Sequence, residues 1–105
     1  MLLDILGVEY NYHYVDLLKG EQKTPEFLKI NPQHNTPVLK DENICMNESG
    51  PIMIYLAEKY QEKNKNLFPM DNMVTRARIQ QRIGFASTTL STAFVEAYVN
   101  RSFRY

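Results

Sequence analysis

Asn31-Pro32-Gln33-His34-Asn35-Thr36-Pro37-Val38-Leu39 carries the chain through a polar turn with two prolines into a β-prone pair, and Glu48-Ser49 follows, opening an apolar helical run. Few folds accommodate that order. A residue before proline is pushed out of helical dihedrals, so Asn31-Pro32 ends whatever helix precedes it. The Thr36-Pro37 step offers a backbone edge before a short strand. The Glu48-Ser49 step offers a helix start, whose free N–H groups favour a carboxylate or phosphate. Together they read as half of a binding site for a small peptide-like anion.

A chain of 105 residues allows one modest domain, or a small domain plus the beginning of a helical extension, and excludes a large enzyme. Lys and Arg number 12 and Asp and Glu number 12, so no global field draws it to nucleic acid or to an acidic membrane. The one cysteine, Cys45, has no partner for an internal disulfide, and no Cys/His cluster has metal-ligand spacing. A reducing, cytoplasmic setting fits this composition. Met1-Leu2-Leu3 does not read as a signal peptide, because Asp4 interrupts the apolar run and no basic residue precedes it. It reads as the last turns of a helix that Gly7 stops. No apolar run is long enough to span a bilayer.

Val8, Tyr10, Tyr12 and Tyr14 alternate through β-favouring residues, which predicts a strand over Val8 to Val15. After the polar loop Lys19 to Lys23, Thr24-Pro25-Glu26 supplies a helix cap, a proline for the first helical position and a first-turn acid. That helix should bury Phe27, Leu28 and Ile30. Val38-Leu39-Lys40 and Ile44-Cys45-Met46, joined by Asp41-Glu42-Asn43, predict a β-hairpin. Ser49 then caps a helix with Ile52, Tyr55, Leu56 and Tyr60 on one stripe. Residues 61–66 are polar and aperiodic and read as a linker leading into Leu67-Phe68-Pro69. From Asp71 or Asn72 one long helix carries Ile79, Ile83, Ala86, Leu90, Ala93 and Ala97 at steps of three and four. It runs into Phe103 and Tyr105, which have nothing obvious here to pack against. The expected division is 1–60, a linker over 61–72, and a helical segment over 73–105.

Each candidate residue has a plain reading beside a functional one. Pro37 fits a trans bond in an ordinary turn or a cis bond in a tight one; the cis form would turn the Thr36 N–H and C=O toward a bound peptide. Ser49 is by default a cap. Its functional reading pairs a ligand carboxylate with the Ser49 hydroxyl and N–H while Glu48 receives an ammonium, which suits an α-amino-acid head. His34 is by default a solvated turn residue, and its alternative is donation to a second carboxylate. His13 takes no role. Cys45 reads as an inert buried thiol between Ile44 and Met46 and is rejected as a nucleophile.

These elements in this order resemble the thioredoxin-like domain of cytosolic glutathione transferases, most closely the insect delta and epsilon classes. The matching stretches are Leu6-Gly7-Val8-Glu9, Thr24 to His34, Pro37 with its strand, Glu48-Ser49 and Ile54-Tyr55-Leu56-Ala57-Glu58-Lys59-Tyr60; Gln81-Arg82-Ile83-Gly84-Phe85 is a weaker echo. The resemblance implies an α/β fold: an incomplete thioredoxin-like glutathione-binding domain followed by the start of an all-helical domain. It implies a cis Pro37, Thr36 presenting its backbone to the cysteine of glutathione, and Glu48 with Ser49 holding the γ-glutamyl end. His34 would face the glycine carboxylate, with Gln22 standing where these classes often carry a second histidine. Leu90 and Phe94 would contribute to the electrophile pocket. Reduced glutathione is then a co-substrate, with no bound cofactor and no metal, and the complete form conjugates it to small hydrophobic electrophiles, as a homodimer, in detoxification.

Two departures bear on that expectation. Gly50-Pro51 stands where these classes carry Arg-Ala, which removes a cation near the site. The family's first strand and the following loop, whose serine stabilises the glutathione thiolate, would precede Met1. Truncation is therefore expected, with unpaired sheet edges, no catalytic residue among those present, and glutathione binding with weak or no catalysis. The alternative is a non-enzymatic thioredoxin-like module that uses the groove or sheet edges for protein contacts. A glutaredoxin- or thioredoxin-type redox protein would need a Cys-x-x-Cys or a single exposed thiol before its first helix, and neither is present.

Overall fold

In a computed structural model, which describes residues 2–102, short helices and one hairpin pack at one end of a long helix. Phe103 and Tyr105 lie outside the described residues. Helix α1, Leu2–Ile5, ends as expected at Gly7, whose φ of 60° is the left-handed conformation that glycine adopts without a Cβ clash. Helix α2, Pro25–Ile30, starts on Thr24, whose Oγ1 accepts from the Phe27 N–H at 3.3 Å, with Pro25 in the first turn. Phe27 and Leu28 are half-buried, but Ile30 is exposed, because the helix ends there and its last residue turns away from the core.

Strands β1, Val38–Asp41, and β2, Ile44–Asn47, form the expected antiparallel hairpin in the register Val38 to Asn47 and Leu39 to Met46. Alternation then sorts the faces. Leu39 and Met46 join Leu6, Ile52 and Leu56 in the core, and Lys40 and Cys45 lie on the other side. Cys45 is exposed, not buried, for this reason; its Sγ donates to the Ile30 carbonyl at 3.5 Å.

The expected strand over Val8 to Val15 does not form. These residues enter no ladder, and Tyr10, Tyr12 and Tyr14 are exposed. β-propensity describes fit to a pleated, half-covered surface, and a strand needs a partner whose backbone groups it can satisfy. Among the described residues the segment's tyrosines are held by one side-chain bond, the Tyr10 hydroxyl donating to Asp4 Oδ1 at 3.1 Å.

Helix α3, Ser49–Lys59, buries Gly50, Ile52, Leu56 and Ala57 and half-buries Tyr55, and Tyr60 is half-buried at its C-cap. The Lys59 ammonium and the Tyr55 hydroxyl, the latter at 2.8 Å, both donate to Asp41 Oδ2, tying the hairpin turn to the end of α3. Beyond it, Phe68 is only 2% exposed, so the polar segment after α3 leads directly into a core residue. Asn72 caps α4, Met73–Phe85, accepting from the Thr75 N–H at 2.9 Å. A π-helical turn, Ala86–Leu90, joins α4 to α5, Ser91–Ser102.

The Ser87 and Thr88 hydroxyls donate to the Ile83 and Gly84 carbonyls within that turn, competing with backbone N–H groups for the same acceptors. Ile79 and Ile83 are half-buried, Ile83 facing Gly50 of α3, whereas Ala86, Leu90, Ala93 and Ala97 are exposed. The apolar stripe is continuous in sequence, but burial along it stops at Ile83. Thirty helical residues at about 1.5 Å each supply about 45 Å of the long dimension of 52 Å.

Candidate functional site

The site grows from the end of α2. Asn31 closes that helix with its N–H on the Phe27 carbonyl at 2.8 Å, and it is 5% exposed. A polar side chain so buried must be satisfied. Its Oδ1 accepts from the Gln33 N–H at 3.1 Å, and its Nδ2 donates to the Asn35 carbonyl at 2.9 Å and to Asn35 Oδ1 at 2.7 Å. These bonds curl residues 31–35 into a tight loop. His34 takes φ 46° within it and donates its N–H to the Asn31 carbonyl at 3.0 Å.

The Thr36-Pro37 bond is cis, and Val38 starts β1 directly after it. Because Val38 faces Asn47 across the hairpin, Thr36-Pro37 enters the ladder at the end where Glu48-Ser49 leaves it. A side-chain bond spans the gap: Asn35 Nδ2 donates to Glu48 Oε1 at 3.2 Å. Glu48 has φ 72° and ψ 116°, a conformation costing a non-glycine residue of order 1–3 kcal/mol. Its carbonyl starts α3 by accepting the Ile52 N–H at 3.1 Å.

Glu48, not Ser49, is thus the N-cap residue, and Ser49 is the first residue of the helix. No side chain caps the start, which leaves the first N–H groups of α3 available beside an exposed carboxylate. Among the described residues no cation pairs with Glu48. Positive helix start and negative carboxylate side by side complement a zwitterion.

Thr36, Pro37, Glu48 and Ser49 therefore gather at one exposed end of the hairpin. His34 lies in the adjoining loop, exposed, and Gln22 sits half-buried in the 3-10 turn Glu21–Lys23 before α2. No side-chain hydrogen bond joins either to the other four among the described residues. Gln22 Oε1 is buried without a donor among the described residues, and rotating the amide by half a turn would aim its NH₂ there instead. Leu90 and Phe94 are 56% and 71% exposed on the long helix and do not line the cleft between α2 and the hairpin.

A cleft of about 280 Å³ between α2 and the outer face of the hairpin is lined instead by Asn31, Gln33, Cys45 and Asn47. No group of His, Cys, Asp and Glu among the described residues is placed to hold a metal. Sequence reasoning missed Asn31, Asn35 and Asn47 as parts of the site. The signal was the recurrence of side-chain amides on both sides of the hairpin, but their pairing is long-range.

Residues 1–58 match the family model described as the glutathione S-transferase N-terminal domain. Glutathione S-transferase D7 of Drosophila melanogaster is 39% identical over 98 residues, 93% of this chain and 43% of that protein. A delta-class glutathione transferase of Nilaparvata lugens superposes with a TM-score of 0.87 at 42% identity, over 97% of this chain and 47% of its own. A glutathione transferase homologue of Drosophila mojavensis, solved with bound glutathione, gives 0.77 at 40% identity, over 83% of this chain and 39% of its own.

Fold and sequence together define a thioredoxin-like glutathione transferase N-terminal domain followed by a helical segment. The chain belongs to the glutathione S-transferase family, and its relatives include insect delta- and epsilon-class members. It spans somewhat under half the length of the relatives it matches.

Proposed function

We propose that this chain supplies the glutathione-holding half of a glutathione transferase site. The Glu48 carboxylate receives the α-ammonium of the γ-glutamyl group, and the Ser49 hydroxyl and N–H receive its α-carboxylate. Thr36, turned outward beside Pro37, pairs its backbone with that of the cysteinyl residue. His34 and Gln22 donate to the glycine carboxylate. The observation that carries this reading is the hairpin register, with the Asn35–Glu48 bond at its open end, which brings an unpaired carboxylate and a free helix start beside the Thr36-Pro37 edge. The glutathione bound to the Drosophila mojavensis homologue supports the same ligand here.

In a full-length family member the glutathione thiolate attacks an electrophilic carbon of a small hydrophobic substrate, forming a thioether and expelling a leaving group such as halide. A thiol of pKa about 8.5 is only slightly ionised at neutral pH, so that step needs a group that stabilises the thiolate. None of the residues in this chain is assigned that role, so binding with weak or no turnover is proposed. Leu90 and Phe94 are proposed for the electrophile pocket, with 1–60 as the glutathione-binding unit, 61–72 as linker and 73–105 as the start of the helical domain. A cytoplasmic homodimer acting in detoxification completes the reading.

Retention on immobilised glutathione, displaced by free glutathione, tests it. Losing a charge-assisted bond worth about 1.5–3 kcal/mol in Glu48→Ala should weaken binding by roughly ten- to over a hundredfold. Absence of retention in the unaltered chain refutes the proposal. Turnover of a chromogenic aryl halide at the rate of a complete family enzyme refutes the restriction to binding.

A further inference from the structure

We infer that Asn35 is a positioning residue that aims the Glu48 carboxylate at the ammonium of the bound ligand, an inference that rests on the glutathione reading above. Glu48 is exposed, on a flexible side chain, in a backbone conformation that side chains rarely adopt. A carboxylate so placed has many rotamers and loses that freedom when it pairs with a ligand. Among the described residues its side chain takes one hydrogen bond, from Asn35 Nδ2 to Oε1, at 3.2 Å and across 13 residues of chain. Oε2 has no donor among the described residues and is left for the ligand.

Asn35 can do this because it is itself held twice. Asn31 Nδ2 reaches its Oδ1 at 2.7 Å and Asn47 Nδ2 at 3.1 Å. Asn47 Nδ2 also donates to Gln33 Oε1 at 2.6 Å, so the fourth amide is tied in. The polarity of this chain of amides is fixed at both ends. At the buried end the Gln33 backbone N–H can only donate, so Asn31 must offer it oxygen and turn its NH₂ toward Asn35. At the exposed end an ionised carboxylate can only accept, so Asn35 must offer NH₂. With its oxygen toward Asn31 and Asn47 and its NH₂ toward Glu48, Asn35 satisfies both demands without a flipped alternative. A buried anchor, Asn31, thus transmits its rigidity to an exposed carboxylate.

The test is calorimetric titration of the full chain with two ligands: glutathione, and glutaryl-cysteinyl-glycine, which lacks the α-ammonium. Asn35→Leu removes the amide at similar volume. Asn35→Ser, too short to reach Glu48, leaves a hydroxyl to accept from Asn31. Both variants are expected to raise the Kd for glutathione about tenfold and to leave that for the deamino ligand within twofold. In the unaltered chain the three-bond couplings of the Glu48 methylenes should report one rotamer, averaged in both variants.

Equal weakening of the two ligands overturns the inference, since a merely structural residue would act on both. Unchanged glutathione binding, or an unaltered Glu48 rotamer, overturns it as well. If the unaltered chain binds glutathione but the loss is unselective, only the role of Asn35 falls; if it does not bind at all, the reading of the site falls with it.

Discussion

Gly50, the second residue of α3, tests how tightly the site is built against the long helix. A Cβ added there would sit 2.9 Å from Ile83 Cγ2. Carbon atoms rest at about 3.5–4.0 Å, so the two must separate by at least about 0.6 Å. Ile83 cannot swing aside cheaply: Cγ2 is bonded directly to Cβ, and χ1 of isoleucine in a helix is largely confined to one rotamer. Relief must come from moving α4 relative to α3.

Overpacking of this kind costs about 1–3 kcal/mol, against at most about 1 kcal/mol gained by replacing glycine with alanine in a helix. Gly50→Ala should therefore destabilise by about 1 kcal/mol net, read as a lower midpoint in urea unfolding with an unchanged slope. In an Ile83→Ala background the clash is gone, and the same substitution should become neutral or stabilising, a coupling of about 1–3 kcal/mol. A stabilised Gly50→Ala chain, or the same cost in both backgrounds, would refute the reasoning.

Phe68→Ala should cost about 3–5 kcal/mol in chemical unfolding, while Phe85→Ala, at an exposed position, should stay within about 0.5 kcal/mol; similar losses would place Phe68 outside the core. Asn72→Ala removes the cap of α4 and should cost about 1 kcal/mol, with Asn72→Asp retaining most of it. The Lys59 ammonium, then the Tyr55 hydroxyl and the Glu42 N–H, hold the Asp41 carboxyl down from 3.8 to about 2, so its contribution is complete above the unfolded value and is lost as pH falls through about 2. Lys59 is raised chiefly by its bond to Asp41, so its share is present below its ordinary value of 10.5 and lost as pH rises through the higher folded value. Urea midpoints across pH should show both limbs, and Asp41→Asn should flatten them; an unchanged profile in that variant would contradict the assignment. Cys45, exposed on the outer face of the hairpin, should react with one equivalent of an aromatic disulfide reagent in the native chain, and reaction only after unfolding would contradict that placement.

Local chemistry by itself determined where several elements begin and turn. Thr24-Pro25, Asn72 and the Asp41-Glu42-Asn43 cluster act on groups within four residues of themselves, and the helices and hairpin they predict are present. The family resemblance was legible for a similar reason, since its motifs are short and contiguous. Whatever depends on a distant partner was decided by tertiary structure. The Val8 to Val15 pattern has strand propensity but no ladder to join, and Cys45, flanked by apolar Ile44 and Met46 in sequence, lies on the outer face because the hairpin register puts it there.

Glu48 displaced Ser49 from the cap position because it must leave β2 and enter α3 within one residue, at a φ no local rule favours for glutamate. The amide chain from Asn31 through Asn35 to Glu48 closes only once the hairpin has brought residues 13 apart into contact. Sequence named the groups that would hold a zwitterion; only the folded chain decided which neighbours hold those groups in place, because hydrogen-bond geometry across a hairpin is set by register and not by spacing along the chain.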